Sequence, residues 1–383
     1  MPHDLLLKGG TVIDPSRSLH INSDIAFDGG TVAAIAEDIS TTGATEVVDC
    51  KGKLITPGFV DLHTHVYLGS TTLGIDADKL GPHSGCTTFV DAGSAGWATY
   101  EGFRRFVADR WSARILGFVH ISAIGIPDLS LAECLLPNTC RVEETAAVVE
   151  RHSEVCTGVK VRMTDRLVGE HGLEPLRLAV KAAELANTRV MVHIGNTVRP
   201  VPELLDIMRP GDIITHCHTG GSNSILTGTA EGHVLDEVRA ARERGIIFDV
   251  GHGAGSFNFN SGEIAIGEGF LPDVISTDIH VANINGCVRD MPTTLSKFLY
   301  LGLTIDQVIE RCTLAPSRVI GRDDLGTLKI GGVGDAAVLD LEEGEFELVD
   351  AQSNTRTVNR LLRCTLTVKD GVVWRGDEGE ACA

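Results

Sequence analysis

The residues at 57–65 (Pro57, Gly58, Phe59, Val60, Asp61, Leu62, His63, Thr64, His65) form an apolar run that ends in two histidines. Side chains of a strand alternate between faces, so His63 and His65 point the same way off its end. Two imidazoles on one face at a strand end make half of a metal site. Four later runs supply the other half. The run at 158–164 places Lys160 within an apolar strand, where an unmodified ammonium is costly to bury. A lysine with a depressed pKa that has reacted with carbon dioxide is instead a carbamate, an anionic oxygen ligand able to bridge two cations. The run at 189–196 carries His193, and the run at 212–219 carries His216 and His218 on one face. His216 is preferred over His218 as the ligand. The run at 273–280 carries Asp278 near its end.

These residue types support hydrolysis. Two cations about 3.5–4 Å apart share a hydroxide, lower its pKa toward neutrality and polarise a substrate carbonyl. Asp278 takes the proton and returns it to the leaving nitrogen or oxygen as a general acid. Zinc suits imidazole and carboxylate donors, and manganese or iron accept the same set. Arg162 shares a face with Lys160. It either clamps a substrate carboxylate in a bidentate pair or forms a salt bridge that orients a ligand. His252, among glycines at 249–256, and His280, two residues after Asp278, are further substrate-facing positions. Tyr67 and His120 are weaker ones.

The elements that must position these side chains follow a βα rhythm. Eight short β-branched runs lie at 55–65, 86–94, 114–122, 158–164, 189–196, 212–219, 245–253 and 273–280. Helical patterns at 100–110, 142–152, 174–187, 229–244 and 292–311 separate or follow them. Eight βα units predict a (β/α)8 TIM barrel, with its chemistry where strands end. A doubly wound open sheet is the rival, but no glycine-rich phosphate turn follows the first run. Residues 1–55 read as short strands joined by Gly-Gly and Asp-Gly-Gly turns, and strand character returns at 335–341 and 368–374 around a polar stretch. The expected organisation is a catalytic barrel at 56–322 beside one small β-sandwich built from 1–55 and 323–383.

Composition narrows the partners. With 383 residues, 43% hydrophobic and 22% charged, the chain fits a soluble globular protein too large for one ordinary core. A formal charge of −19 disfavours a sequence-independent grip on nucleic acid or an anionic membrane. No apolar stretch approaches ~18 residues, and the N-terminus lacks a signal-peptide layout. Ten scattered cysteines without a CxxC pair read as reduced thiols of a cytoplasmic protein.

The ligand set resembles the amidohydrolase superfamily, in the binuclear branch that includes dihydroorotase and dihydropyrimidinase. The resemblance implies that His63 and His65 hold the more buried metal, that carboxylated Lys160 bridges both, that His193 and His216 hold the second, and that Asp278 binds the first and shuttles protons. Such barrel enzymes commonly self-associate, so a homo-oligomer is expected. Dihydroorotases carry an arginine soon after the paired histidines, whereas Val66 and Tyr67 stand here. The Gly-His-Gly loop and the Lys-Val-Arg strand look similar to a dihydroorotase-like subgroup of hydrolases acting on acylated small carboxylic acids. That implies acyl ester or amide cleavage, with acetylated 2-hydroxy acids and N-acyl amino acids as examples. Cyclic amide hydrolysis of the dihydroorotase or hydantoinase type is the alternative, and a non-catalytic dihydropyrimidinase-like scaffold is the alternative from another class.

Overall fold

The computed structural model describes residues 3–197, 199–228 and 232–376. Seven strands pair side by side, all parallel: β1 (Phe59–Thr64), β2 (Cys86–Gly96), β3 (Arg114–His120), β4 (Cys156–Arg162), β5 (Val190–His193), β6 (Ile213–Thr215) and β7 (Ile247–Asp249). The eighth run is not a regular strand, yet it closes the cylinder. Val274 bridges to Asp249 and Ile279 bridges to Thr64, both in parallel sense. Its ladder to β1 is interrupted at Asp278, whose φ of 49° lies in the left-handed region and whose N–H donates to the His63 carbonyl at 2.7 Å. The protein is therefore the expected α/β barrel with a terminal β unit.

Leu62, Val90, Leu116, Phe118, Met191, Ile213 and Val274 form one buried cluster. Side chains from strands around the whole cylinder meet only in its interior, so this cluster is the apolar floor of the site. Strict alternation would put Leu62 and His63 on opposite faces. The pairing of β1 with β2 slips between Asp61 and Thr64, and this lets Leu62 fill the floor while His63 reaches the rim above it.

Several helices differ from the sequence pattern for local reasons. The 100–110 segment is one α turn, Tyr100–Phe103, continued by a π turn over Arg104–Ala108. The 292–311 segment is two helices, Met291–Tyr300 and Ile305–Cys312. Gly302, at φ 100°, ends the first, and a Thr304–Gln307 capping box starts the second. The helix expected at 229–244 is confined to Asp236–Glu243, and residues 229–231 lie outside the described residues.

The terminal segments combine into a single mixed sheet of eight strands, curled around a small core that includes Leu5, Phe27, Ile55 and Val338. The Gly9-Gly10 step is a bulge inside one strand, Leu5–Asp14, rather than a turn. The polar stretch expected between two C-terminal strands is itself strand. Ala336–Val349 and Thr355–Lys369 form a long hairpin whose half-exposed arms pair almost throughout. Its tip, at 350–354, returns to the barrel: Phe259 N–H donates to Asp350 at 2.8 Å and Ala351 N–H donates to the Phe257 carbonyl at 3.1 Å. Nine cysteines are free thiols, and Cys382 lies outside the described residues. Among the described residues no helix is long and apolar enough to cross a membrane.

Phe118 is fully buried in the barrel floor. Phe118→Ala leaves a cavity there and is expected to destabilise the fold by about 3–5 kcal/mol. Denaturant unfolding followed by circular dichroism measures this as a lowered midpoint at unchanged slope.

Candidate metal centre

Six predicted ligand side chains converge at the C-terminal rim of the barrel. Asp278 Oδ1 lies 3.4 Å from His63 Nε2 and 3.2 Å from His65 Nε2. Lys160 Nζ is 3.4 Å from the same His63 nitrogen and 3.4 Å from Met191 Sδ in the floor below. Across the rim, His216 Nε2 and His193 Nδ1 are 2.8 Å apart. His216 joins the cluster, whereas His218 is packed between Phe257 and Phe298, with neither ring nitrogen hydrogen-bonded among the described residues. Strand alternation puts 216 and 218 on one face, but the chain leaves the strand at Thr215. His216 takes a left-handed φ of 69°, which sends the two rings to different places.

The outward nitrogens are held by the protein. His63 Nδ1 meets Thr215 Oγ1 at 2.9 Å, and Thr215 donates to Asp249 at 2.7 Å. His65 Nδ1 meets Ser94 Oγ at 2.8 Å, and the Ser94 N–H donates to Asp91 at 2.7 Å. His216 Nδ1 donates to the Gly251 carbonyl at 2.6 Å. These bonds fix ring orientation and leave the inward nitrogens as lone-pair donors. Three glycines make room. A Cβ on Gly93 would lie 2.6 Å from the Lys160 Cβ, one on Gly251 would lie 2.9 Å from His216 Nδ1, and one on Gly253 would lie 2.5 Å from Asp278 Oδ2.

Electrostatics favour a cation here. Burial pushes the Lys160 ammonium down to about 7 and the His65 and His216 imidazoles down to about 4, while it raises the Asp278 carboxyl. Neutral imidazoles are the ligating form. Asp278 Oδ1 is buried without a hydrogen-bond partner among the described residues. A buried acceptor in that state calls for a positive partner. Donor atoms of His63, His216 and Asp278 all lie within 4.8 Å of one another. The cavity lined by His63, His65, Lys160, His193 and Asp278 is about 30 Å³, room for ions and water rather than for a substrate. The donor set thus fits divalent cations.

A second, outer cavity of about 280 Å³ opens above it and shares Arg162, His193, Asp278 and His280 with the first. His280 accepts the Ala282 N–H through Nδ1 at 3.2 Å, which leaves Nε2 for the cavity its ring lines. Arg162 reaches the cavity but is already engaged. Its Nε and Nη2 donate to the two oxygens of buried Glu133 at 2.6 and 2.7 Å. Of the two roles expected for Arg162, the salt bridge is the one formed. Burial opposes ionisation of Glu133, but the bonds from Arg162 hold its carboxyl at about 2. His120 sits beside this pair, 3.4 Å from Glu133. The donors of His120, Glu133 and Cys134 also lie close together, but the guanidinium already neutralises the carboxylate.

His252 does not face either cavity. Its ring stacks on Phe257, bonds the Gly253 carbonyl through Nδ1 at 2.9 Å, and accepts from buried Lys297 through Nε2 at 2.6 Å. The glycines around it, not its imidazole, shape the site. Tyr67 is also turned away, packed on Phe103 and donating to the Thr99 carbonyl at 3.2 Å. Sequence reasoning missed Thr215, Asp249, Ser94 and Glu133. Thr215, adjoining His216, is the only one whose position beside a ligand offered a signal.

A closed parallel barrel with buried imidazoles, a lysine and an aspartate at its strand ends is the architecture of a metal-dependent hydrolase. The amidohydrolase family model matches residues 54–373, and the chain belongs to that family. It is 36% identical to a deacetylase of Agrobacterium fabrum over 89% of this chain and 84% of that protein. It is 31% identical to a deacetylase of Enterococcus faecalis over 98% of this chain and all of that protein. Among solved structures, a dihydroorotase superposes with a TM-score of 0.89 at 32% identity over 96% of this chain and 97% of that one. An adenine deaminase superposes equally well, with a TM-score of 0.89 at 30% identity over 97% and 99%.

Thr215→Val keeps the shape of the side chain but removes the hydroxyl that links His63 to Asp249. Metal affinity is expected to fall about 10–100-fold. Competition with a chromogenic chelator measures the loss, and an unchanged circular dichroism spectrum shows that the fold survives.

Proposed function

We propose that the protein is a binuclear metal-dependent hydrolase that cleaves an acyl ester or amide of a small carboxylic acid, with acetyl as the acyl group. The observation that carries this reading is the convergence of His63, His65, Lys160, His193, His216 and Asp278, whose inward donor atoms have one another as their near partners. Lys160, once carboxylated, would supply an anionic oxygen ligand. It is fully buried, and its ammonium is destabilised there. His63 and His65 would hold one ion, and His193 and His216 the other. A pair of divalent cations, zinc being favoured, would supply Lewis acidity and an acidified water in this pocket.

The chain's own residues supply the rest. Asp278 accepts the proton of the attacking water on its carboxylate and returns it to the departing nitrogen or oxygen. Its left-handed backbone and the contact with Gly253 hold the carboxylate in one orientation. The outer cavity holds the substrate. At about 280 Å³ it lies just below the range of drug-sized pockets, which suits a small molecule. Its lining carries the exposed Arg166 as well as the Glu133-paired Arg162, and a cation in the lining suits a carboxylate. The deacetylase names of the relatives support acyl removal over ring opening. The absence of an arginine after His65 supports the same choice.

Asp278→Asn is expected to lower kcat by about 10²–10⁴-fold while metal analysis still finds bound ion. Near-wild-type turnover would refute its role. Zinc-loaded protein supplied with bicarbonate is expected to release acetate from acetylated 2-hydroxy acids or N-acetyl amino acids and to leave dihydroorotate unchanged. The reverse pattern would establish the cyclic amide alternative, and no metal and no turnover would favour the scaffold.

A further inference from the structure

The outer cavity is not built by the barrel alone. Gln352, at the tip of the C-terminal hairpin, forms part of its wall together with Arg162 and Asp278. The tip is held against the barrel by buried groups. Lys297 donates to the Val349 carbonyl at 2.7 Å and to the Cys287 carbonyl at 2.6 Å. Asp350, buried, accepts the N–H groups of Phe259, Gln352 and Asn354, each at 2.8 Å. The Gln352 side chain is fixed in turn. Its Oε1 accepts from Asn258 Nδ2 at 2.8 Å, and Gly220 comes so near that a Cβ there would lie 2.5 Å from that oxygen.

An amide whose oxygen is occupied offers its NH₂ as a donor. Arg162 has two donor groups committed to Glu133, which leaves Arg166 as the cation of the lining and gives a neutral donor in the same lining a part in orienting an anionic substrate. We infer that Gln352 is a specificity-determining residue whose amide NH₂ binds the carboxylate of the substrate, so that the terminal sheet supplies part of the active site. The inference rests on the deacylase reading and adds to it the wall that reads the leaving acid. The tether to Asn258 leaves little rotamer freedom to lose on binding.

The test uses the full-length, metal-loaded enzyme. Gln352→Glu is isosteric and keeps the acceptor for Asn258, but replaces the donor with a charged oxygen. It is expected to raise KM for an acetylated carboxylate at least tenfold, to leave kcat within about twofold, and to leave kcat/KM for the methyl ester of the same acid unchanged. Gly220→Ala displaces the Gln352 amide without altering it and is expected to shift the same ratio in the same direction, by a smaller factor. Metal content and melting temperature should match wild type in both. A loss of activity equal for the charged and neutral substrates would assign Gln352 a structural role and overturn the inference, as would an unchanged KM in Gln352→Glu. Failure of the wild-type enzyme to hydrolyse any acyl carboxylate would overturn the deacylase reading itself, and this assignment with it.

Discussion

A buried lysine sets the terms for this structure. Lys160 lies in the middle of a barrel strand with no exposed atoms, and its near partners are an imidazole nitrogen and a thioether. An ammonium is not stable there without an opposing charge; Asp278 faces His63 and His65, and Asp249 and Asp91 act on the lysine as well without offsetting its burial. The cluster therefore gathers buried lone-pair donors around a destabilised ammonium, and a cation together with a carboxylated lysine is the proposed way to complete it. Every other feature of the rim follows from that requirement.

The surrounding shell keeps the unpaired donors in register before any ion arrives. Hydroxyls of Thr215 and Ser94 and the Gly251 carbonyl turn three rings inward, and Asp249 and Asp91 hold the hydroxyl-bearing residues. Gly93, Gly251 and Gly253 admit the close approaches that a Cβ would block. The left-handed residues His216 and Asp278 lie where strands end and the candidate ligands begin. Such backbone is costly for residues with side chains, and it persists where the surrounding contacts over-determine it.

Much of this could be read from the sequence because ligands of a barrel lie at strand ends, and strand ends are marked by apolar runs. His63, His65, Lys160, His193 and Asp278 each follow or interrupt such a run, and eight runs separated by helical patterns define the cylinder. What could not be read depends on tertiary packing. Glu133 lies in an irregular loop without periodicity, so nothing indicated that it would occupy Arg162. His252 is flanked by glycines, but its ring turns to Lys297, a residue 45 positions away. The eighth run carries a left-handed aspartate and so closes the barrel by bridges rather than as a strand. The hairpin tip that delivers Gln352 is built from terminal strands whose pairing partners set its reach.

The most direct measurement is of Lys160 itself. Protein loaded with zinc in the presence of isotopically labelled bicarbonate should give one carbamate carbon resonance per chain, absent in Lys160→Ala, together with two bound metal ions. A lysine that stays unmodified in the metal-saturated protein, or a resonance that survives the substitution, would contradict the account.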